Sequence, residues 1–267
     1  MSMQAGRRAR STALAAVLAL VTAGLFFAAP ATAAGQLHGV DVSRWQGQVD
    51  WGAVQRSGRT FAFAKATEGA TFIDGTFAAN RAAMGQAGLV LRGFYHFARP
   101  DRNTAAAEAA HFLRTVGPLG PGEVAVLDLE VAPELPGIGD WAAEWLARVQ
   151  QATGRVPLLY SYQSYLYEIP TSRLTQYPLW VAAWGDDNGA VPAAQPKTDR
   201  WSRWMFWQYT SKARVPGVST EVDADLFSGT PAELAALGGA PAPPPPDPLA
   251  QLVQDVLNGL GALLAPK

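Results

Sequence analysis

Two acidic side chains end an apolar run at residues 124–130, Val-Ala-Val-Leu-Asp-Leu-Glu. Because side chains alternate along a strand, Asp128 and Glu130 would share one face, about 6.7 Å apart in backbone rise. Burial and a like-charged neighbour both raise a carboxyl pKa, so one of the pair can keep its proton near neutral pH. One proton donor beside one anion is what cleavage of a glycosidic bond requires. A D-x-E pattern standing alone is more often a strand end with solvated acids, so the other chemistry-bearing residues matter.

Polar and aromatic side chains stand at the ends of the other apolar runs. In a β/α barrel the catalytic residues lie at the carboxyl ends of the strands. Those positions hold Asp41, Glu68, Tyr95, His96, Tyr160, Trp184, Gln208 and Asp223. Lys65 and Arg99 are the cations near them, so the set is mainly acidic and aromatic. Flat rings at Trp45, Trp184 and Trp207 would favour a groove for carbohydrate, since such rings can stack on sugar faces.

The elements that must position these residues are short apolar runs alternating with helical patterns. Strand-like runs cover residues 38–42, 60–65, 93–97, 124–129, 156–160, 179–183, 205–209 and 222–226. Helical patterns cover 77–87, 104–116 and 139–153, with Thr104 as an N-cap and Gly154 as a stop signal. Apolar strands alternating with helices are typical of a parallel sheet buried on both faces. Residues 36–239 are therefore predicted to form an α/β fold, a TIM-like (β/α) barrel with mainly parallel strands.

Composition excludes several other classes of protein. The chain has 267 residues, 49% of them apolar, with 21 basic and 22 acidic side chains and no cysteine. This apolar content supports a large core and excludes a disordered or coiled-coil chain. The balanced charge leaves no basic excess for phosphate backbones, so we expect no nucleic-acid partner. Without cysteine there can be no disulfide, thiol nucleophile or cysteine metal site.

No metal or cofactor is expected from the sequence. Catalytic zinc takes clustered ligands, and the three histidines form no H-E-x-x-H or H-x-x-E-H motif. The pair Asp223 and Asp225 lacks the further ligands of a calcium-binding loop. We expect a monomer that works with its own side chains alone.

The first 33 residues have the pattern of an export signal. Three arginines precede an uncharged, mostly apolar run at 13–29, and Ala31-Thr32-Ala33 follows it. This order is typical of a secretory signal peptide cleaved after Ala33, which predicts a secreted or cell-wall-associated protein. The alternative is an uncleaved anchor, but this run is short for a bilayer span of about 20 residues.

The other end of the chain carries two further segments. Residues 240–248 are rich in proline and are predicted to form a semi-rigid linker. Residues 249–267 repeat leucine and valine at spacings of three and four, which predicts a short amphipathic helix. That helix would dock on its own domain or contact the envelope surface, and the sequence leaves both open.

Six sequence blocks resemble one known family. They are residues 39–47 (Gly-Val-Asp-Val-Ser-Arg-Trp-Gln-Gly), 65–69 (Lys-Ala-Thr-Glu-Gly), 93–100 (Gly-Phe-Tyr-His-Phe-Ala-Arg-Pro), 127–130 (Leu-Asp-Leu-Glu), 206–209 (Phe-Trp-Gln-Tyr) and 222–223 (Val-Asp). In this order they resemble glycoside hydrolase family 25, the N,O-diacetylmuramidase type of lysozyme. The blocks cover nearly all of residues 36–239, and together they are highly specific. One departure is Arg44, which stands where the family commonly has histidine.

The resemblance implies an irregular, flattened barrel that cleaves the β-1,4 bond between N-acetylmuramic acid and N-acetylglucosamine in peptidoglycan. It implies that Glu130 is the proton donor and later base. Asp128 would orient the substrate's acetamido group or stabilise the cationic intermediate, and Asp41 and Asp223 would hold the surrounding hydrogen-bond network. The sugar site would be lined by Tyr95, Trp184 and Gln208, and we expect Glu68 and Tyr160 to contact substrate as well.

Two other readings of the same residues stay open. A chitinase-like barrel uses D-x-x-D-x-D-x-E, but aligning that pattern on Glu130 puts Glu123 and Val126 where aspartates belong. A non-catalytic peptidoglycan-binding module would keep the aromatic groove and lose the acids. The presence of Asp128 and Glu130 argues against such a module.

Overall fold

The computed structural model describes residues 36–198 and 200–239. The predictions for residues 1–33, 240–248 and 249–267 lie outside them. Strands occur at β1 (Leu37–Val42), β2 (Arg59–Glu68), β3 (Phe72–Ile73), β4 (Leu91–Phe97), β5 (Glu123–Asp128), β6 (Leu158–Tyr162), β7 (Leu179–Ala182), β8 (Phe206–Ala213) and β9 (Val222–Phe227). Helices occur at α1 (Trp51–Arg56), α2 (Phe77–Gln86), α3 (Ala105–Val116), α4 (Ile138–Thr153), α5 (Gln163–Glu168) and α6 (Pro231–Leu237), with a 3-10 turn at Arg44–Gln46.

Eight of these strands close into a barrel. Going round it, the order is β1, β2, β4, β5, β6, β7, β8 and β9, and β9 pairs again with β1. Neighbours from β1 to β8 run parallel, whereas β9 is antiparallel to both β8 and β1. The short β3 pairs only with β2, outside the ring. The predicted α/β barrel with mainly parallel strands is confirmed.

The barrel departs from a regular eightfold alternation. Pairing registers shift between β1 and β2, between β2 and β4, and twice between β8 and β9. Residues 183–198 and 200–205, which lead from β7 to β8, form no helix. The predicted strand at 156–160 begins two residues later, because Pro157 has no N–H to donate to a neighbouring strand. Irregularity of the barrel is thus confirmed in its registers and connections.

Two apolar layers support the barrel. Its interior is filled mainly by aromatic rings, among them Phe61, Phe63, Phe206, Phe227 and Trp180. Two strand glycines make room for these rings: a Cβ on Gly39 would lie 2.2 Å from Phe61, and one on Gly93 would lie 2.0 Å from Phe63. The second layer lies between the strands and the surrounding helices. The interior is therefore a packed core, open to side-chain chemistry only at its rim.

Helix ends follow the sequence signals closely. The Thr104 hydroxyl accepts a hydrogen bond from the Ala107 amide, and Gly154 ends α4 in the left-handed conformation. Helix α6 sends Leu234 into the interior core, which closes the end of the barrel opposite the acids. Among the residues described, no helix is long and apolar enough to cross a membrane.

Candidate active site

The two acids predicted to share a strand face lie at the barrel rim, at the end of β5. Val126 faces the barrel interior, whereas Leu127 and Leu129 pack outward among the helices. Asp128 and Glu130 continue the interior face, and both line a cavity of about 230 Å³. Asp128 is buried, whereas Glu130 is partly open to solvent. The alternation of β5, continued for two residues past the end of the strand, thus brings both carboxyls to one opening.

Burial governs the protonation of this pair. Burial, the charge of Glu130 and a hydrogen bond with Glu130 raise the pKa of Asp128 well above its usual range. Burial also raises the pKa of Glu130, although its hydrogen bond with Asp128 and the nearby Lys65 charge act in the opposite direction. A hydrogen bond between two carboxyls requires that one of them carry a proton. The pair therefore holds a proton at a pH where isolated carboxyls are ionised.

Three more carboxyls meet across the cavity, on β1 and β9. Asp41 is paired with Asp223 in the strand register, and both line the cavity. Burial and the charges of Asp223 and Asp225 raise the pKa of Asp41 well above its usual range. Burial raises the pKa of Asp223 to about 6, despite a hydrogen bond with Asp41 that lowers it. Crowding of buried anions thus favours protonation of part of this cluster.

The position of Asp223 corrects one detail of the sequence reasoning. It was counted among residues at the carboxyl ends of the strands, but it lies at the amino end of β9. Because β9 runs antiparallel to its neighbours, its amino end lies at the same rim as the carboxyl ends of the others. Asp223 therefore lies in the site because β9 is antiparallel, and an apolar run does not show the direction of a strand.

A glutamine links three parts of the rim. The Gln208 side-chain amide donates to Asp41 Oδ2 at 2.8 Å. Its carbonyl oxygen accepts from the Tyr160 hydroxyl at 3.0 Å and from Trp184 Nε1 at 2.9 Å. Tyr160, Gln208 and Tyr95 line the cavity, and burial raises the pKa of both tyrosines well above the usual range. Both tyrosines thus stay neutral, and Tyr160 acts as a hydrogen-bond donor to Gln208.

Glu68 is placed differently from the other predicted substrate contacts. It is absent from the cavity lining and instead bridges two cations, Lys65 at 2.8 Å and Arg99 at 3.4 Å. Burial acts to raise its pKa, but hydrogen bonds and charges from Lys65 and Arg99 outweigh burial, and the pKa is lowered. The ammonium of Lys65 lines the cavity beside the acids. Glu68 therefore holds Lys65 at the rim and does not itself face the opening.

The three tryptophans noted in the sequence have different environments. Trp45 is 75% exposed and lines the cavity at one side. Trp184 is 40% exposed and lines a second cavity of about 480 Å³, which shares Glu130 and Tyr160 with the first. Trp207 is buried in the layer under the helices, where its indole N–H donates to a backbone carbonyl. The expectation that Trp207 contributes to a carbohydrate groove was wrong, because its strand position faces outward.

His96 does not line the cleft. It neighbours Tyr95 on β4, so its ring points to the opposite face of the sheet. There it is fully buried, with Nε2 2.7 Å from Glu108 and Nδ1 2.7 Å from the Thr67 hydroxyl. Burial lowers the pKa of His96, and Glu108 acts against that shift. The histidine therefore supports the packing of α3 on the barrel.

Sequence reasoning missed the part that two residues play at the base of the cavity. Asp225 is fully buried on β9, and Trp180 on β7 donates to it at 2.8 Å. The sequence did hold a signal for Asp225: residues two apart on a strand share a face, so Asp225 points to the same side of the sheet as Asp223. Across residues 36–198 and 200–239, no group of three or more histidine, aspartate or glutamate side chains is arranged to hold a metal ion.

Comparison with known proteins places this barrel in one family. The sequence profile of Glycosyl hydrolases family 25 matches residues 40–218. Lysozyme M1 of Streptomyces globisporus is 36% identical over 225 residues, covering 78% of this chain and 73% of the relative. An N,O-diacetylmuramidase of Arthroderma benhamiae is 32% identical over 227 residues, covering 78% of this chain and 90% of the relative. The chain therefore belongs to Glycosyl hydrolases family 25 and is a glycoside hydrolase.

Solved structures agree with this assignment. A bacterial lysozyme from Streptomyces coelicolor superimposes with a TM-score of 0.69 and 33% identity, covering 77% of this chain and 98% of the other. A family GH25 lysozyme from Aspergillus fumigatus superimposes with a TM-score of 0.64 and 29% identity, covering 76% and 99%. The α/β barrel described above is thus the fold that this family shares.

Proposed function

We propose that this glycoside hydrolase is a muramidase that cleaves the β-1,4 bond between N-acetylmuramic acid and N-acetylglucosamine in peptidoglycan. The observation that carries the proposal is the pair Asp128 and Glu130, two hydrogen-bonded carboxyls with raised pKa at an open cavity. Relatives named lysozyme and N,O-diacetylmuramidase support the choice of substrate.

Glu130 is the proton donor in this proposal. It is the more open of the two carboxyls, so it can reach a glycosidic oxygen while Asp128 stays buried behind it. The proton that the pair holds passes through Glu130 to the leaving oxygen as the bond to the anomeric carbon breaks. Both carboxyls are then anionic and repel each other. The positive charge on the neighbouring sugar compensates this repulsion.

The substrate's own acetamido group completes the first step. Its carbonyl oxygen attacks the anomeric carbon, and Asp128 accepts a hydrogen bond from the acetamido N–H or stabilises the cationic intermediate. Glu130, now ionised, takes a proton from water as that water adds to the anomeric carbon and releases the acetamido group. The proton returns to the pair, so the site regains its starting state.

The remaining rim residues hold and orient the sugars. Asp41 and Asp223 set the charge of the cluster facing the pair, and Gln208 connects that cluster to the aromatic side of the groove. The exposed ring of Trp45 lines the first cavity, that of Trp184 lines the second cavity of about 480 Å³, and both offer flat surfaces for sugar rings. We assign substrate contacts to Tyr95, Tyr160, Trp184 and Gln208, with Glu68 acting indirectly through Lys65.

Action at the cell wall requires export, and we propose that residues 1–33 supply it. Their basic, apolar and small-residue order is that of a cleaved secretory signal. The proposed catalytic domain comprises residues 36–239, followed by the proline-rich segment 240–248 and the apolar repeat at 249–267. We propose that this last segment contacts the envelope surface or its own domain.

Measuring which bond breaks tests the proposal. Purified peptidoglycan incubated with the protein should release new reducing ends and no new free amino groups. Release of amino groups alone would identify an amidase or peptidase and overturn the proposal. Binding to peptidoglycan with neither product would favour the non-catalytic wall-binding module, and cleavage of chitin in preference to peptidoglycan would favour a chitinase-like glycosidase.

A further inference from the structure

A buried carboxyl lies directly beneath the proposed site and has no role in the mechanism above. Asp225 is two residues from Asp223 on β9, on the same face of the strand. Its register partners are Gly39 on β1 and Gln208 on β8. Its exposed fraction is 0%. The residue is thus one layer below the rim, in contact with the floor of the cavity and closed to solvent.

Only one neutral hydrogen-bond donor serves this carboxyl. The indole N–H of Trp180 donates to Asp225 Oδ1 at 2.8 Å, and stacking on Phe63 at 4.1 Å holds the indole ring in place. Asp225 Oδ2 is buried and accepts no hydrogen bond from an N–H or hydroxyl group. Its neighbour is the carboxyl of Asp41, with which it forms a hydrogen bond and which also bonds Asp223 at the rim. Two carboxyls can share a hydrogen bond only when a proton lies between them.

We propose that Asp225 and Asp41 share one proton beneath the cavity, and that Asp225 is a positioning residue that fixes the Asp41 carboxyl. Asp41 Oδ2 accepts from Gln208, and Gln208 accepts from Tyr160 and Trp184. Holding Asp41 therefore holds the chain of hydrogen bonds that reaches the aromatic side of the groove. The catalytic part of this inference rests on the proposed function, whereas the shared proton does not.

No cation lies among the described groups that act on Asp225, so only a proton can neutralise its charge. The groups that act on its ionisation are Asp41 on β1, Asp223 on its own strand and the neutral indole of Trp180 on β7. From β8 it faces the uncharged Gln208, and on that strand the nearby Tyr209 is itself kept neutral by burial. Losing the proton would leave adjacent buried anions, which is costly without a cation.

This arrangement makes folding stability depend on pH in a defined direction. Burial raises the pKa of Asp225 well above its usual range in the folded protein. A carboxyl with a raised folded-state pKa contributes stability at low pH, and that contribution is lost as pH rises through the folded-state pKa. The wild-type protein should therefore become less stable towards alkaline pH, and the shared proton should account for part of that loss.

Asp225→Asn tests the proton directly. An amide keeps the bond from Trp180 and donates an N–H to Asp41 without an ionisable proton. Thermal unfolding between about pH 5 and pH 9 should show a smaller loss of stability for D225N than for wild type. The matched control is Asp140→Asn, at an exposed, ion-paired position, which should follow the wild-type dependence. A D225N curve parallel to wild type would overturn the shared proton, whether or not the protein cleaves peptidoglycan.

A second variant separates positioning from packing. Asp225→Leu keeps the branching at Cγ, with larger methyl groups in place of the oxygens, but cannot hold Asp41, so kcat on peptidoglycan should fall by at least about 100-fold. D225N should retain more than about a tenth of the wild-type kcat, because its amide replaces the shared proton. Its activity should also persist to higher pH than that of wild type. Equal losses in the two variants, or failure of D225N alone to fold, would overturn the positioning role.

Discussion

At the scale of single residues, the chemistry of this site depends on which carboxyls are buried and which are open. Asp128 and Asp225 are shielded from solvent, whereas Glu130 reaches the cavity. Lys65 is the one cation that lines the cavity among the residues described, and its charge acts against the raised pKa of both Asp128 and Glu130. A site with five neighbouring carboxyls and so little opposing charge favours the protonated form of part of the cluster.

The donor role of Glu130 makes the first prediction at this scale. Glu130→Gln removes the proton donor while keeping the size of the side chain, so kcat on peptidoglycan should fall by roughly 10²- to 10⁴-fold. The unfolding midpoint should stay close to that of wild type or rise, because a neutral amide replaces a partly buried acid. The matched control is Glu134→Gln, at an exposed position in the segment that follows β5. Near-normal turnover by E130Q would remove Glu130 from the donor role.

At the scale of elements, the barrel interior depends on glycines that leave space for aromatic rings. Gly93→Ala on β4 would place a Cβ 2.0 Å from the ring of Phe63, which also stacks on Trp180. We expect this overpacking to destabilise the protein by about 1–3 kcal/mol, measured by urea unfolding.

Gly85→Ala is the matched control for that prediction. Gly85 lies in α2, and a Cβ there would meet no atom within 4 Å. Because alanine is favoured over glycine within a helix, this variant should be stabilised by up to about 1 kcal/mol. A G93A variant as stable as wild type would mean that the ring of Phe63 can move, and that the interior is less tightly packed than described.

The strands and helices were largely predictable, whereas their directions and contacts were not. Apolar runs located all eight barrel strands, and Thr104 and Gly154 marked helix ends correctly. The antiparallel direction of β9 escaped prediction because an apolar run has no signal for the direction of its pairing partners. The sequence likewise did not show the strand pairing that makes Trp207 point outward towards the helices.

The candidate site was predictable only as a set of residues. The alternation of side chains in the apolar run predicted that Asp128 and Glu130 share one face. In the structure both side chains line the same cavity. The hydrogen bonds through Gln208 join residues as far apart in sequence as Asp41 and Trp184. Such links form only when the barrel closes, so no local pattern could reveal them. Asp225 was considered only as a calcium ligand, since its burial became visible only with the register of β9.

At the scale of the whole molecule, the proposed catalytic residues lie at one rim of the barrel, and helix α6 packs against the other. The cavity lies where the carboxyl ends of seven parallel strands meet the amino end of β9, and α6 closes the opposite end. The family match covers residues 40–218, which include every barrel strand from β1 to β8 in whole or in part. The open rim is therefore where a long polysaccharide would enter.

The sugar at each newly cut end shows whether this protein is a muramidase. Peptidoglycan digested by the protein should be reduced with borohydride, and the sugar alcohol at the end of each fragment identified by mass spectrometry. We expect reduced N-acetylmuramic acid, because the acetamido-assisted step breaks the bond at the anomeric carbon of that sugar. Reduced N-acetylglucosamine as the main new end would contradict it, since the protein would then be a glucosaminidase.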